Sequence, residues 1–264
     1  MSQLVRMEKV EGLVGGIVFG PVRSRRFGRS LGVNPLPPDR KLCTFDCVYC
    51  ECGLTSRSES QRLDAQPFPT AARVAEAVQS AVEHLQHAGV SIDSLTLTGN
   101  GETTLHPAFE EIIAVLIEMR DRLLRGAQIV VLTNGTRLDH AAVRRALERV
   151  DQCVVKIDAG TEQMFQLINR PIAGVTLDSI MQAAAGLPHV IVQTMFVRGR
   201  VDNTTMDEVD KWVARVAAIR PQRVQVYSLD RPPAEAGLIA VPLADMEGIA
   251  ARLSEKTRLP VDVY

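Results

Sequence analysis

Five cysteines are the residues with the most chemistry to offer, and four of them, Cys43, Cys47, Cys50 and Cys52, crowd into ten positions. The fifth, Cys153, stands alone in an apolar run. Such crowding and an odd count make a poor disulfide framework and a good metal-binding one in a reducing compartment. The segment reads Leu42-Cys43-Thr44-Phe45-Asp46-Cys47-Val48-Tyr49-Cys50-Glu51-Cys52-Gly53, a C-x3-C-x2-C spacing with a further C-x-C step. Three thiolates on one short loop can converge on one face of an iron–sulfur cube. A fourth iron is then left without a protein thiolate, and that open position makes the cluster a catalyst. A structural zinc site wants four closed ligands, usually as two pairs far apart in sequence, and no second pair is present. Cys52 as a fourth ligand would block the open iron; no direct role is the simpler reading of it.

Further polar motifs fall where strands are predicted to end. Residues 94–98, SLTLT, form a short apolar run before Gly99-Asn100-Gly101-Glu102. Glycines there let backbone approach a ligand closely, and Glu102 can accept hydrogen bonds from an ammonium group. Residues 128–133, QIVVLT, end at Thr133-Asn134-Gly135, where a plain helix-entry turn is the competing reading. Lys156 and Asp158 close a strand predicted over 153–158 and point to the same face. A lysine in an apolar strand needs a reason, and pairing with Asp158 supplies one. Gln193, in the run 189–197, reads equally as a site residue or a satisfied core amide. His106 precedes Pro107, and helix entry explains it.

The elements that position these motifs alternate. A first strand is expected near 30–36. Pro69-Thr70 opens a helix that stops at Gly89, Pro107 starts another through about residue 125, and 139–149 and 176–185 are helical. Asn203-Thr204 is expected to cap a helix through Ile219, residues 223–229 form a strand, and 243–255 a last helix. This makes about six β/α units, fewer than the eight of a full barrel. The expected fold is α/β, a partial (β/α)6 TIM-like barrel of parallel strands with outer helices or a doubly wound sheet, as one domain over residues 1–264. In either, chemistry collects at the C-terminal ends of the strands.

The cysteine spacing, with Tyr49 just before the third cysteine, resembles the signature of the radical S-adenosylmethionine (radical SAM) superfamily. The resemblance implies a [4Fe–4S] cluster held by Cys43, Cys47 and Cys50, with S-adenosylmethionine chelating the fourth iron. One-electron reduction then cleaves that molecule to a 5′-deoxyadenosyl radical, which abstracts hydrogen from a substrate. It implies that Tyr49 lies near the adenine. The segment Gly99, Asn100, Gly101, Glu102 resembles the superfamily's GGE motif for the methionyl amino group, offset because Asn100 replaces a glycine. By the same resemblance Thr133 or Asn134 meets the carboxylate or ribose, Lys156 the carboxylate and Asp158 the ribose, with Gln193 nearby. A reductant such as flavodoxin or ferredoxin is implied as partner.

FGPVRSRRFGRSLGVNPLP followed by CTFDCVYCECG resembles a branch related to the tRNA wyosine-forming radical enzymes, and the likeness extends to Asn169-Arg170-Pro171 and Leu229-Asp230-Arg231-Pro232. Four arginines in seven residues, 23–29, give a local positive patch. Arginine forks suit phosphate or carboxylate, so Arg23, Arg25 and Arg26 are substrate candidates, with Asp230 and Arg231 at a strand end. A solvated surface run is the competing reading. The substrate is not identified by these motifs; a modified nucleoside and a phosphorylated metabolite are the candidate classes. Thirty basic against thirty-one acidic residues leave a net charge of −1, which argues against a large nucleic-acid footprint. No apolar run reaches the ~18 residues of a bilayer span, and MSQLVRMEKVEG lacks a signal-peptide core, so no membrane partner and a cytoplasmic location are expected. Little chain follows the last predicted strand, so one cluster is expected. Competing readings are a glycyl-radical activating enzyme acting on a partner protein, a non-catalytic iron–sulfur electron carrier or redox sensor, and a zinc-structured nucleic-acid binder.

Overall fold

The computed structural model describes residues 9–10, 12–54 and 68–264. The first eight residues, on which part of the leader-peptide expectation rests, lie outside the described residues. The chain forms two compact units.

The first unit takes the described residues up to Cys43, then 68–133 and His140–Cys153. A short antiparallel hairpin, β1 (Lys9–Val10) and β2 (Leu13–Val14), is followed by β3 (Val18–Ser24) and β4 (Gly28–Val33), also antiparallel. Strands β5 (Ser94–Leu97) and β6 (Gln128–Thr133) continue in parallel, with Ser30 opposite Ser94 and Ser94 opposite Gln128. Their order is β6-β5-β4-β3. Helices α1 (Ala71–His87), α2 (Phe109–Leu123) and α3 (Ala141–Leu147) make the connections. Helix α1 shows why: Val74, Val78, Val82 and Leu85 recur at helical spacing and are buried, and Thr70 accepts from the Arg73 amide at 3.2 Å.

Strand β7 (Gln152–Lys156) begins in the first unit and ends in the second. The second unit also holds Thr44–Leu54, Asn134–Asp139 and the chain from Val154 on. Its strands β8 (Val190–Met195), β10 (Arg223–Tyr227) and β12 (Val261–Val263) run in the order β12-β10-β8-β7, with β8, β10 and β12 paired in parallel. Helices α4 (Glu162–Ile168), α5 (Leu177–Ala185), α6 (Met206–Ile219) and α7 (Leu243–Thr257) connect them. A side hairpin pairs β9 (Val197–Gly199) with β11 (Leu238–Ala240). From β4 to α7 the chain spells six strand–helix units. This is the α/β, partial (β/α)6 barrel order that the sequence predicts.

Two local expectations change. Residues 18–24 belong to an edge strand, not to a leader before the first strand. Pro21 and a register shift between Phe19 and Val22 hide its strand pattern, and edge strands tolerate both. Asn203-Thr204 does not cap α6. Thr205 is the N-cap and makes no side-chain cap bond, while Asp207 and Glu208 supply negative charge to the first turn.

Asn203 instead pins the strand ends beneath the site. It is buried, accepts from the Val197 amide at 2.8 Å, and donates to the carbonyls of Asp158 and Met195, each at 2.8 Å. Glu208, also buried, accepts from the Gly160 and Thr161 amides and the Thr161 hydroxyl. Asn203→Ala strands three buried backbone groups, and a loss of about 3 kcal/mol is expected. Urea unfolding followed by tryptophan fluorescence of Trp212 reads it as a lower midpoint at unchanged slope.

Candidate functional site

In the first unit the site begins at the turn after β5. Leu42 forms an isolated parallel bridge with Gly101. The Leu42 amide donates to the Asn100 carbonyl at 2.8 Å, and the Glu102 amide donates to the Leu42 carbonyl at 2.9 Å. Gly101 sits at φ +136°, and a Cβ there would collide with the Leu42 carbonyl. The glycine is therefore needed twice, for its dihedral and for the closeness of the two backbones. The residue before Cys43 is thereby stitched to the Gly-Asn-Gly-Glu loop.

The side chains of that loop have clear duties. Asn100 is fully buried; its carbonyl oxygen accepts from the Val14 amide at 2.7 Å, and its amide donates to the carbonyls of Val14 and Pro37. It fixes the N-terminal hairpin to the loop. The Glu102 Oε1 accepts from the Thr104 amide and hydroxyl and from the Thr133 hydroxyl at 2.8 Å. Glu102 is 2 % exposed, so its carboxylate is rigid and desolvated. The predicted residues Gly99, Gly101, Glu102 and Thr133 thus share the C-terminal edge of β5 and β6. Arg23, Arg25 and Arg26 do not join them. They lie around the β3–β4 turn, at the end where β4 and β5 begin, roughly 15 Å of strand away from that edge.

In the second unit the cysteine loop is built by alternation. Phe45 and Val48 are buried, Phe45 packing edge-on against Phe165 at 5.3 Å. Cys47, Cys50 and Cys52, like Cys43, are half-buried cysteines outside any disulfide, whereas Cys153 is buried in β7. The Cys50 amide donates to the Cys47 carbonyl at 3.0 Å and the Gly53 amide to the Cys50 carbonyl at 3.1 Å, winding the loop into successive turns. The segment after α4 runs alongside. Asp46 and Val48 donate to the carbonyls of Asn169 and Ile168 at 2.9 and 3.0 Å, and Ile172 donates back to Thr44 at 2.9 Å. From the far side, the Glu235 amide donates to the Val48 carbonyl at 3.0 Å while its carboxylate grips Arg170 with two bonds. That fork holds the Glu235 carboxyl below its ordinary range. Arg231 reaches Glu51 at 2.5 Å, so the strand-end arginine meets the cysteine loop, and not Asp230.

Asp158 is the centre of this unit's polar network and is 1 % exposed. It accepts from Lys156 at 3.0 Å, the Met195 amide at 2.8 Å, the Asn169 amide at 2.7 Å and the Tyr49 hydroxyl. The pairing of Lys156 with Asp158, the plainer of the two readings, is present. Lys156 also donates to the Tyr227 hydroxyl at 2.8 Å and lies over the Tyr227 and Tyr49 rings. Burial alone would lower the Lys156 ammonium, but Asp158 and Tyr227 outweigh it and hold it above its usual value. Tyr49 is pushed far up by burial and by the Asp158 charge, so it stays a phenol. Asn134 donates to the Thr44 hydroxyl at 2.9 Å and accepts from Thr136, tying the turn after β6 to the loop. Gln193 donates to Gln225 at 2.8 Å, a buried amide pair across β8 and β10.

Sequence reasoning misses Asn169, Tyr227 and Gln225. Asn169 follows α4, a helix it does not predict, although Asn169-Arg170-Pro171 stands out as a motif. Tyr227 and Gln225 sit in RVQVY, where alternation with valine marks one polar face of a strand.

Cysteines at this spacing are the donor type an iron–sulfur cluster takes. Burial, Asp158 and Cys50 push the Cys47 thiol up to about 12, so a thiolate there calls for a positive centre beside it. Among the described residues no group of three or more His, Cys, Asp or Glu gathers to hold a metal ion; a cubane takes each thiolate on a separate iron. Cys153 is also pushed up to about 12, by burial and by the Glu102 charge. In the metal-free protein at pH 8, Cys47 and Cys153 should carry less than about a hundredth of the thiolate of an open cysteine. Timed iodoacetamide labelling with peptide mass analysis should find these two the slowest, and denaturation should equalise them.

The family model of the radical SAM superfamily matches residues 41–225. The "UPF0026 protein slr1464" of Synechocystis sp. is 35% identical over 221 residues, covering 81% of this chain and 76% of the relative. The "UPF0026 protein" of Helicobacter pylori is 30% identical, covering 82% and 67%. Among solved structures, TYW1 with a lysine-pyruvate adduct bound is similar in fold, with a TM-score of 0.61, 16% identity and coverage of 87% and 74%. Streptococcus suis SuiB bound to S-adenosylmethionine gives a TM-score of 0.62 at 12% identity, covering 88% of this chain and 50% of that one. No helix among the described residues is long and apolar enough to cross a membrane. With its cysteine loop inside the matched span, the chain belongs to the radical SAM superfamily, whose enzymes use a [4Fe–4S] cluster and S-adenosylmethionine.

Proposed function

We propose that this chain is a radical SAM enzyme of one core domain, acting on a small-molecule or nucleic-acid-derived substrate in the cytoplasm. Cys43, Cys47 and Cys50 are the cluster ligands in this reading. The observation that carries it is the Leu42–Gly101 bridge, which ties the chain entering the first cysteine to the turn bearing Glu102. A cluster held there would supply one electron for the cleavage of S-adenosylmethionine, and the radical so formed would take hydrogen from the substrate. The protein's own part is binding and orientation. Glu102, rigid and desolvated, holds the methionyl ammonium, and the backbone at Gly99 and Gly101 gives it room. Lys156, kept charged by Asp158, faces the carboxylate. Tyr49, held by Asp158, lines the adenine side. Arg231, anchored through Glu51, and Asp230 stand at the substrate side. Arg23, Arg25 and Arg26, around the β3–β4 turn where β4 and β5 begin, are given no role in this reading. The electron comes from a flavodoxin- or ferredoxin-type donor.

The test is anaerobic reconstitution with iron and sulfide, reduction, and addition of S-adenosylmethionine. About four irons per chain, a paramagnetic resonance signal that changes on adding S-adenosylmethionine, and 5′-deoxyadenosine by mass are expected. Cys47→Ala should abolish all three. Tightly bound zinc, or a cluster indifferent to S-adenosylmethionine, would overturn the proposal in favour of a structural or electron-carrying role.

A further inference from the structure

Asn169 makes a contact that the reading above does not use. Its Nδ2 lies 3.3 Å from the Cys47 sulfur, 2.7 Å from Asp158 Oδ2 and 3.5 Å from the Tyr49 hydroxyl. A primary amide has two N–H groups, and two acceptors, the carboxylate and the sulfur, take them. The carboxamide cannot profitably turn over. Its oxygen would then face both a carboxylate and a sulfur that carries negative charge as a ligand. Asp158 therefore sets which end of Asn169 meets Cys47. The backbone is fixed as well, since Asn169 closes the last turn of α4 by donating to Phe165 at 3.0 Å, and its carbonyl accepts from Asp46, the residue before Cys47. At 1 % exposure, no water competes for the amide.

We propose that Asn169 is a positioning residue that sets the reduction potential of the cluster through its hydrogen bond to Cys47; this rests on Cys47 being a ligand. The added electron increases negative charge on the ligand sulfurs. An N–H aimed at one of them stabilises the reduced state and raises the potential, and hydrogen bonds to sulfur are among the determinants of cluster potentials. The need is local. A buried carboxylate, Asp158, lies on the other side of Asn169, and its negative charge disfavours an added electron nearby; Asn169 stands between the two with a hydrogen toward each.

The experiment is a redox titration of the reconstituted protein with dithionite, followed by paramagnetic resonance, for the wild type, Asn169→Ala and Asn169→Leu. Leucine fills the volume without offering an N–H, so it guards against collapse of the alanine variant. Both should keep the wild-type iron content and reduce at a more negative potential. An unchanged or more positive potential in either folded variant overturns the inference, and so does loss of the cluster from both, which would make Asn169 a structural requirement only. Cys47→Ala separates the two levels. If it loses the cluster while the Asn169 variants titrate like wild type, only the tuning role fails. If it keeps a wild-type cluster, Cys47 is no ligand and both readings fall.

Discussion

A buried negative charge organises the second unit. Asp158 has almost no contact with solvent and must find its compensation inside the protein. It takes a cation, Lys156, a backbone amide from β8, and two side chains from the cysteine-loop side, Tyr49 and Asn169. Losing one partner of such a buried pair costs about 3–5 kcal/mol. The fold therefore cannot move the cysteine loop away from the end of β7 without exposing that debt. The same carboxylate holds Lys156 protonated, orients Asn169 and, together with burial, keeps Tyr49 a phenol. One group thus settles the protonation or orientation of three neighbours.

The cysteine loop has no helix or strand of its own, yet it is closely held. Its backbone is shared out among the residues after α4, the chain near Glu235, and its own turns. Its side chains divide the work by position. Phe45 and Val48 anchor, and the cysteines between and beyond them are half-buried.

Much of this was legible in the residues. The strand and helix order follows from apolar periodicity, and the ligand loop from cysteine spacing. What stayed hidden has physical reasons. β3 carries proline and arginine where a strand pattern wants alternation. Asn203 has the residue type of a helix cap, but tertiary hydrogen bonds claim it two positions before the cap. Asn100 looks like part of a binding loop, and its side chain is spent on Val14 and Pro37. Arg23, Arg25 and Arg26 form a patch by sequence, but local charge density says nothing about which end of a strand it occupies. In each case long-range pairing decides, and pairing is what spacing along the chain does not record.

The same β3 has a consequence for how molecules meet. It is the last strand in its sheet order, and the outermost strand of a sheet is where a second chain can add on by backbone hydrogen bonding. Pro21 has no N–H to offer a ladder, the irregularity between Phe19 and Val22 breaks its register, and Arg23 puts charge on it. An incoming strand would find neither a continuous ladder nor a neutral surface. The features that disguise β3 as a loop in the sequence are the ones that protect its edge from self-association.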